Sequence, residues 1–263
     1  MDVSRKRKGN LETSRPPKKV TKQPPPVRPS STASLDDISF KQLSGDVWEQ
    51  YKLETDIEPG CHLALMKKYP HSTVFIHQVS VAPEKIINLK PVVHRNIVHL
   101  RHVYTGGEQI SMVYEMTIAS LKDILSFRPH WSVAETAAVC QSVLSALKYM
   151  HGTLGVSHGN LDARTIRVDW NGTVKLSNIG DCLLRANQRY DEDIRALGCI
   201  VRELAESNEM RIPTFTSFLH GLADGQPAST LLQHEFLKNS NGPEQLQHCV
   251  DTWLATRLFF PPA

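Results

Sequence analysis

Residues 154–184, LGVSHGNLDARTIRVDWNGTVKLSNIGDCLL, decide how the rest of the chain is read. The runs Thr165–Asp169 and Thr173–Ser177 alternate in polarity, and Asn171-Gly172 between them is a strong two-residue hairpin signal. The stretch therefore reads as two short β-hairpins. Polar loops flank the alternating runs, with His158–Arg164 before them and Asn178-Ile179-Gly180 after.

Those loops carry a resemblance. His158-Gly159-Asn160-Leu161-Asp162-Ala163-Arg164-Thr165 resembles the His-Arg-Asp-Leu-x-x-x-x-Asn catalytic loop of eukaryotic protein kinases. Asn178-Ile179-Gly180 resembles the Asp-Phe-Gly that follows such a hairpin. In the family the loop Asp accepts the substrate proton, while the loop Asn and the Asp of Asp-Phe-Gly hold magnesium. The resemblance implies that Asn160, Thr165 and Asn178 stand at these three places. A carboxamide is neutral across the working pH range, so it neither accepts that proton nor neutralises a divalent cation. The chain is thus similar to a kinase domain whose chemistry has been removed, a pseudokinase.

The segments before the loop extend the resemblance. Tyr51–Ile57, His62–Lys67 and Thr73–Val79 read as strands separated by Pro59-Gly60 and Tyr69-Pro70-His71 turns. They resemble the opening strands of a kinase small lobe. Gly60 is the one glycine where the family has a glycine-rich phosphate loop, and Val74-Phe75-Ile76-His77 maps on Val-Ala-Ile-Lys. His77 therefore replaces the phosphate-pairing lysine, and a mostly neutral imidazole is expected there. Pro83 and Pro91 bracket a helix of two to three turns, with Glu84 the candidate for the glutamate that pairs with the lysine. His94-Arg95-Asn96-Ile97-Val98-His99-Leu100 leads into a fourth strand, and Gln109–Met116 is a fifth. By resemblance Tyr114 is the gatekeeper, and Glu115 and Met116 lie at the adenine hinge.

Ser120 caps a short helix, and Ser132 with Glu135 forms a capping box for a long one. Val139, Val143, Leu144, Leu147 and Met150 give the long helix an apolar stripe at helical spacing. The run Ala137–His151 resembles the p21-activated, sterile-20-like branch of Ser/Thr kinases. Asp193–Ile200 resembles the start of the buried central helix of a kinase large lobe, yet only about a dozen residues separate it from Gly180. The family's activation segment and its Ala-Pro-Glu do not fit in that interval. Leu231–Leu237 resembles the closing helices, and Gly225 stands where an arginine pairs with the missing glutamate. Both partners of a buried ion pair are gone together, which strands neither charge.

Composition divides the chain. Residues 1–34 hold nine Lys or Arg against two acids, a net of about +7, and leave about −4 for the rest of a chain whose total is +3. This proline-rich segment, poor in large apolar residues, reads as a disordered basic tail. Arg5, Lys6, Arg7, Lys8, Lys18 and Lys19 look like a bipartite nuclear import signal, beside the plainer reading of a solubilising arm. Five cysteines without a Cys-x-x-Cys pair point to a reducing compartment, and no apolar run reaches membrane-spanning length. His94, His99 and His102 do not place two imidazoles on one helical face, so no metal site is expected from them.

The expected architecture is an α+β, two-lobed kinase-like fold. Its small, β-rich lobe spans 47–116 and its shortened, mainly helical large lobe spans 117–237, with a C-terminal extension over 238–263. The expected function is a non-catalytic binding or scaffold module in the cytoplasm or nucleus, binding ATP and magnesium weakly at best. An atypical Ser/Thr kinase, in which Asp162 or Asp181 takes over a lost carboxylate role, is the enzymatic alternative. Non-specific nucleic-acid binding through the tail is the third reading. Shortening of the large lobe is expected to expose Leu183, Leu184, Ile212, Phe215 and Phe218 as a face for a protein partner or a second copy, unless Phe259-Phe260 fills it.

Overall fold

The computed structural model describes residues 40–106, 109–127, 131–205 and 211–259. The basic tail with its import-signal candidates lies outside the described residues, as does Phe260.

The small lobe is built from β1 (Lys41–Leu43), β2 (Tyr51–Glu58), β3 (Cys61–Met66), β4 (Thr73–Val79), β5 (Leu100–Thr105) and β6 (Ile110–Glu115), strands rich in apolar and β-branched residues. They form one sheet in the order β1-β5-β6-β4-β3-β2. Four pairings are antiparallel, and β1 runs parallel to β5 with Lys41 opposite His102. Because a strand's side chains point to alternate faces, β4 serves two cores. Val74 and Ile76 pack with Val47, Tyr51, Ala64, Tyr104 and Val113 on one face. Phe75 and Val79 pack on the other face against the larger core, which runs from Val103, Ile110 and Met112 of the small lobe into the large lobe. Helix α1 (Val47–Gln50), capped by Asp46, lends Val47 to the first of these faces. The bracketed connector is a six-residue 3-10 helix, Pro83–Asn88, on which Glu84 is exposed.

The large lobe contains β7 (Ala119–Ser120), α2 (Leu121–Leu125), α3 (Val133–Tyr149), β8 (Ile166–Val168), β9 (Val174–Leu176), α4 (Ile179–Arg185), α5 (Tyr190–Leu204), α6 (Pro213–Ala223), α7 (Ala228–Leu231) and α8 (Gln247–Phe259). Capping boxes start α2, through Ser120 and Asp123, and α3, through Ser132 and Glu135, as the sequence predicts for α3. Helix α3 is buried on Ala137, Val139, Cys140, Val143, Leu144 and Leu147 and forms the middle of the lobe. Strand β9 stitches the lobes together. Val98 N donates to Leu176 O at 2.8 Å, Leu176 N to Asn96 O at 2.9 Å, and Asn96 Nδ2 to Val174 O at 2.9 Å.

These elements make the two-lobed α+β fold that the resemblance implies. Two expectations are corrected. The stretch 154–184 holds one hairpin, β8–β9, rather than two, and the third strand of its sheet is the distant β7. Residues from Ile179 onward wind into α4 instead of extending. The predicted apolar face is also not exposed: Leu183, Leu184, Phe215 and Phe218 are buried and Ile212 is half-buried. The turn of α4 brings Leu183 and Leu184 inward. Phe236 covers Phe218 and Phe215 at ring distances of 4.9 and 5.1 Å. Phe259 remains 76% exposed and fills nothing there. Among the described residues no helix is long and apolar enough to cross a membrane.

Candidate functional site

Between the lobes lies a cavity of about 330 Å³, near the lower end of ligand-pocket sizes. Its walls bring together His77 and Phe75 from β4, Tyr114 from β6, Arg167 from β8, Asn160 and Thr165 from the loop before β8, and Asn178 at the start of α4. Of the hinge and phosphate-loop candidates, Tyr114 alone is among these walls. Gly60 sits in the β2–β3 turn with its carbonyl accepting from Gln78 N at 2.7 Å, which binds the turn to the end of β4. Glu115 turns toward the large lobe, where its Oε1 accepts from Lys175 Nζ at 2.8 Å and His99 N at 2.9 Å. Met116 does not line the cavity.

His77 does not behave as a neutral imidazole. Its Nδ1 lies 3.1 Å from Asp181 Oδ2. Hydrogen bonding to Asp181, then to Cys61, which faces it across the β3–β4 pair, pushes its pKa up to about 10 against the opposing effect of burial. The cleft thus keeps a cation where the lysine motif stands, but the carboxylate of α4 neutralises it. The partner comes from α4 and not from Glu84. The folded value lies above the ordinary 6.5, so the pair's contribution is fully present below about pH 6.5 and is lost as pH rises through about 10. The melting temperature is expected to fall between pH 7 and 10 in the native chain and to change much less in His77→Gln. Equal slopes in the two proteins would show that the pair adds nothing.

Phe75 stands where the strand motif has alanine, and the Arg167 guanidinium carbon lies 5.6 Å from the centre of its ring. A planar base held between two faces needs two van der Waals contacts, a spacing of about 7 Å. The slot between β4 and β8 is therefore closed by a cation–π contact. Arg167 is held in place by its Nε donating to Thr117 Oγ1 at 2.9 Å. Behind it, the Tyr114 hydroxyl accepts from Gly180 N at 3.1 Å and donates to Met112 Sδ at 3.6 Å. Burial raises the phenol's pKa well above its ordinary value. A Cβ on residue 180 would overlap Met112 Sδ, so this approach requires glycine.

The loop is held by two carboxylates that accept from its own backbone, Asp193 and Asp162. Asp193 of α5, 1% exposed, accepts from His158 N at 2.7 Å, Gly159 N at 2.8 Å and His151 Nε2 at 2.8 Å. Asp162 Oδ1 accepts from Arg164 N and Thr165 N at 2.8 and 2.9 Å, and Thr165 Oγ1 donates to the Asp162 carbonyl at 3.0 Å. Asn160 is exposed. Burial lowers the His158 pKa. Asn178 adopts a left-handed φ of 60°, which asparagine tolerates better than most residues. His94, His99 and His102 are engaged separately, against Tyr149, Val92 O and Tyr51.

Residues 58–194, just over half of the chain, match the family model of the protein kinase domain. The chain belongs to that family. This kinase domain is 29% identical over 140 residues to the serine/threonine-protein kinase pakA of Talaromyces marneffei, covering 53% of the chain and 20% of that protein. It is 31% identical over 150 residues to ste20 of Aspergillus fumigatus, covering 52% and 18%, and 28% identical over 143 residues to STE20 of Saccharomyces cerevisiae, covering 53% and 14%. The matches span a fifth or less of the length of these relatives and place the kinase domain in their branch.

His77, Asn160, Thr165 and Asn178, singled out from the sequence, all line this cavity, and so do Phe75 and Arg167, which were not. Both carried a signal, a phenylalanine at an alanine position of the strand motif and an arginine in an otherwise apolar strand. What was missing was their proximity across 92 residues of chain.

Proposed function

We propose that this kinase domain is catalytically impaired and serves as a protein-binding or scaffold module. The observation that carries the reading is the contact that closes the slot between β4 and β8, where Arg167 lies against Phe75, together with Asp181 already holding His77. Neutral Asn160 and Asn178 at the proton-accepting and metal-holding positions support it, since phosphoryl transfer depends on charges there. Both carboxylates of the kinase alternative have other work, Asp162 on backbone amides and Asp181 on His77. Magnesium and ATP accordingly bind weakly at best.

A protein partner is assigned to the large lobe. There α8 leaves Leu258 and Phe259 78% and 76% exposed, with Arg257 lying 5.5 Å from the ring of Phe127. Apolar side chains gathered at one end of a helix suit a protein partner better than water. The basic tail supplies nuclear import or weak phosphate contacts, and deletion of residues 1–34 with imaging of the product tests the import role.

The test is nucleotide binding. A ligand that binds only the native state raises the melting temperature. No magnesium-dependent shift is expected at micromolar ATP, and no label is expected to pass from radiolabelled ATP to a generic protein substrate. A clear shift together with transfer would replace this reading by the atypical kinase.

A further inference from the structure

We propose that Glu135, His248 and Cys249 form a zinc-binding site that fastens α8 to the start of α3. The sequence places Glu135 more than a hundred residues from the other two, and the fold brings their ligand atoms together. Glu135 Oε1 is 2.7 Å from His248 Nε2 and 3.4 Å from Cys249 Sγ, and Sγ is 3.5 Å from Nε2. Carboxylate oxygen, imidazole nitrogen and thiolate sulfur are the three donor types that zinc takes. A mixed set with a thiolate favours zinc over magnesium or calcium, which take oxygen ligands.

The distances carry the assignment. With zinc–sulfur at about 2.3 Å and zinc–nitrogen or zinc–oxygen at about 2.0–2.1 Å, a tetrahedral site has sulfur edges of about 3.5 Å and a nitrogen–oxygen edge of about 3.3 Å. Both sulfur edges already have that length. The third edge is drawn in to a hydrogen bond, and an opening of about 0.6 Å gives the tetrahedral value.

The surroundings prepare the site. Glu135 is 2% exposed and Cys249 1% exposed. The second carboxylate oxygen of Glu135, Oε2, accepts from Ser132 N and Ser132 Oγ, both at 2.7 Å, so the capping box fixes the direction in which Oε1 points. Such outer hydrogen bonds orient metal ligands. The His248 side chain is exposed, giving an ion a way in. Along α8, Cys249 and Val250 are the fully buried residues. An ion bonded to Glu135 would therefore add a large part of what holds this helix, and with it the position of Leu258 and Phe259.

The ligands bind as thiolate, neutral imidazole and carboxylate, so binding releases protons and weakens as pH falls. The experiment uses the full chain, stripped with a chelator and titrated with zinc against a chromophoric competitor. One equivalent is expected to bind and to raise the melting temperature. Cys249→Ser and His248→Ala are each expected to weaken binding by at least about 100-fold, the upper end of the loss seen when only a supporting partner is removed. Cys199→Ser, at an exposed thiol, is expected to bind as the native chain does. Cobalt in place of zinc should show a sulfur-to-metal charge-transfer band that Cys249→Ser abolishes. Because His248 is exposed, its variant tests the site without disturbing the core. Absence of tight zinc binding, native affinity in either the His248 or the Cys249 variant, or a cobalt spectrum without the sulfur band would each overturn the proposal.

Discussion

Asp193→Ala is expected to destabilise the domain by about 3–5 kcal/mol, the range for removing one partner of a buried charged network. The carboxylate, 1% exposed, satisfies two backbone N–H groups and the His151 ring. Alanine would strand those donors, each at the desolvation cost of an unmet buried group. For a domain of this size the loss corresponds to a fall in melting temperature of roughly 6–20 °C. Asp191, two residues earlier in the same helical turn, is the control. It pairs with Arg195 at the surface, both side chains being 52% exposed, so Asp191→Ala should cost no more than about 1 kcal/mol. Thermal unfolding of the two variants decides the matter. Similar small losses in both would mean that the loop from His158 is held by something other than Asp193.

This buried anchor explains how the loop keeps the frame of a kinase without the charges of one. The backbone of His158 and Gly159 is positioned by α5, and the Asp162 turn closes the loop on itself, contacts in which the Asn160 side chain takes no part. Gly225 shows the same economy on the other side of α5. Its φ of 69° is left-handed, and a Cβ there would lie 2.9 Å from the Asp191 Cβ, so the position is suited to glycine and not to an arginine reaching for a glutamate.

Local signals explain which parts were legible in the sequence. Tyr51–Glu58, Cys61–Met66 and Thr73–Val79 are short runs with recurring apolar residues between turn residues, and α3 follows its capping box and apolar stripe. Strand β1 was missed because three residues give no measurable period, and its parallel partner β5 lies about sixty residues away. Helix α4 was missed although Ile179, Cys182 and Leu183 have helical spacing, since residues 154–184 were read as two hairpins. The cleft followed the same division. Substitution of His77, Asn160, Thr165 and Asn178 can be read one residue at a time. The contacts His77–Asp181 and Phe75–Arg167 exist only once the lobes are closed on each other. The buried Phe215–Phe236–Phe218 stack likewise replaced an exposed face because a contact between α6 and the segment after α7 has no trace in either segment alone.

The closed slot leads to the other large expected effect. Restoring the family's charges with His77→Lys, Asn160→Asp and Asn178→Asp is expected to give no ATP binding, because Phe75 and Arg167 still occupy the space between β4 and β8. Asn178→Asp adds a carboxylate to a cleft already holding Asp181, and an unpaired charge in a part-buried site is costly. Adding Phe75→Ala and Arg167→Leu removes both halves of the obstruction and leaves an apolar slot. The five-substitution chain should then gain a magnesium-ATP thermal shift. At a nucleotide concentration about 100 times its dissociation constant, the stabilisation would be about 2.7 kcal/mol, several degrees in melting temperature. Phosphate transfer to a peptide is still expected to be absent, since α4 and the short link to α5 replace the segment that would position the acceptor, and positioning supplies a large share of the rate. The comparison of the three- and five-substitution chains separates charge from space. If the charges alone restore binding as fully as all five changes, the Phe75–Arg167 contact yields to a nucleotide and the cleft is silent for want of charge only.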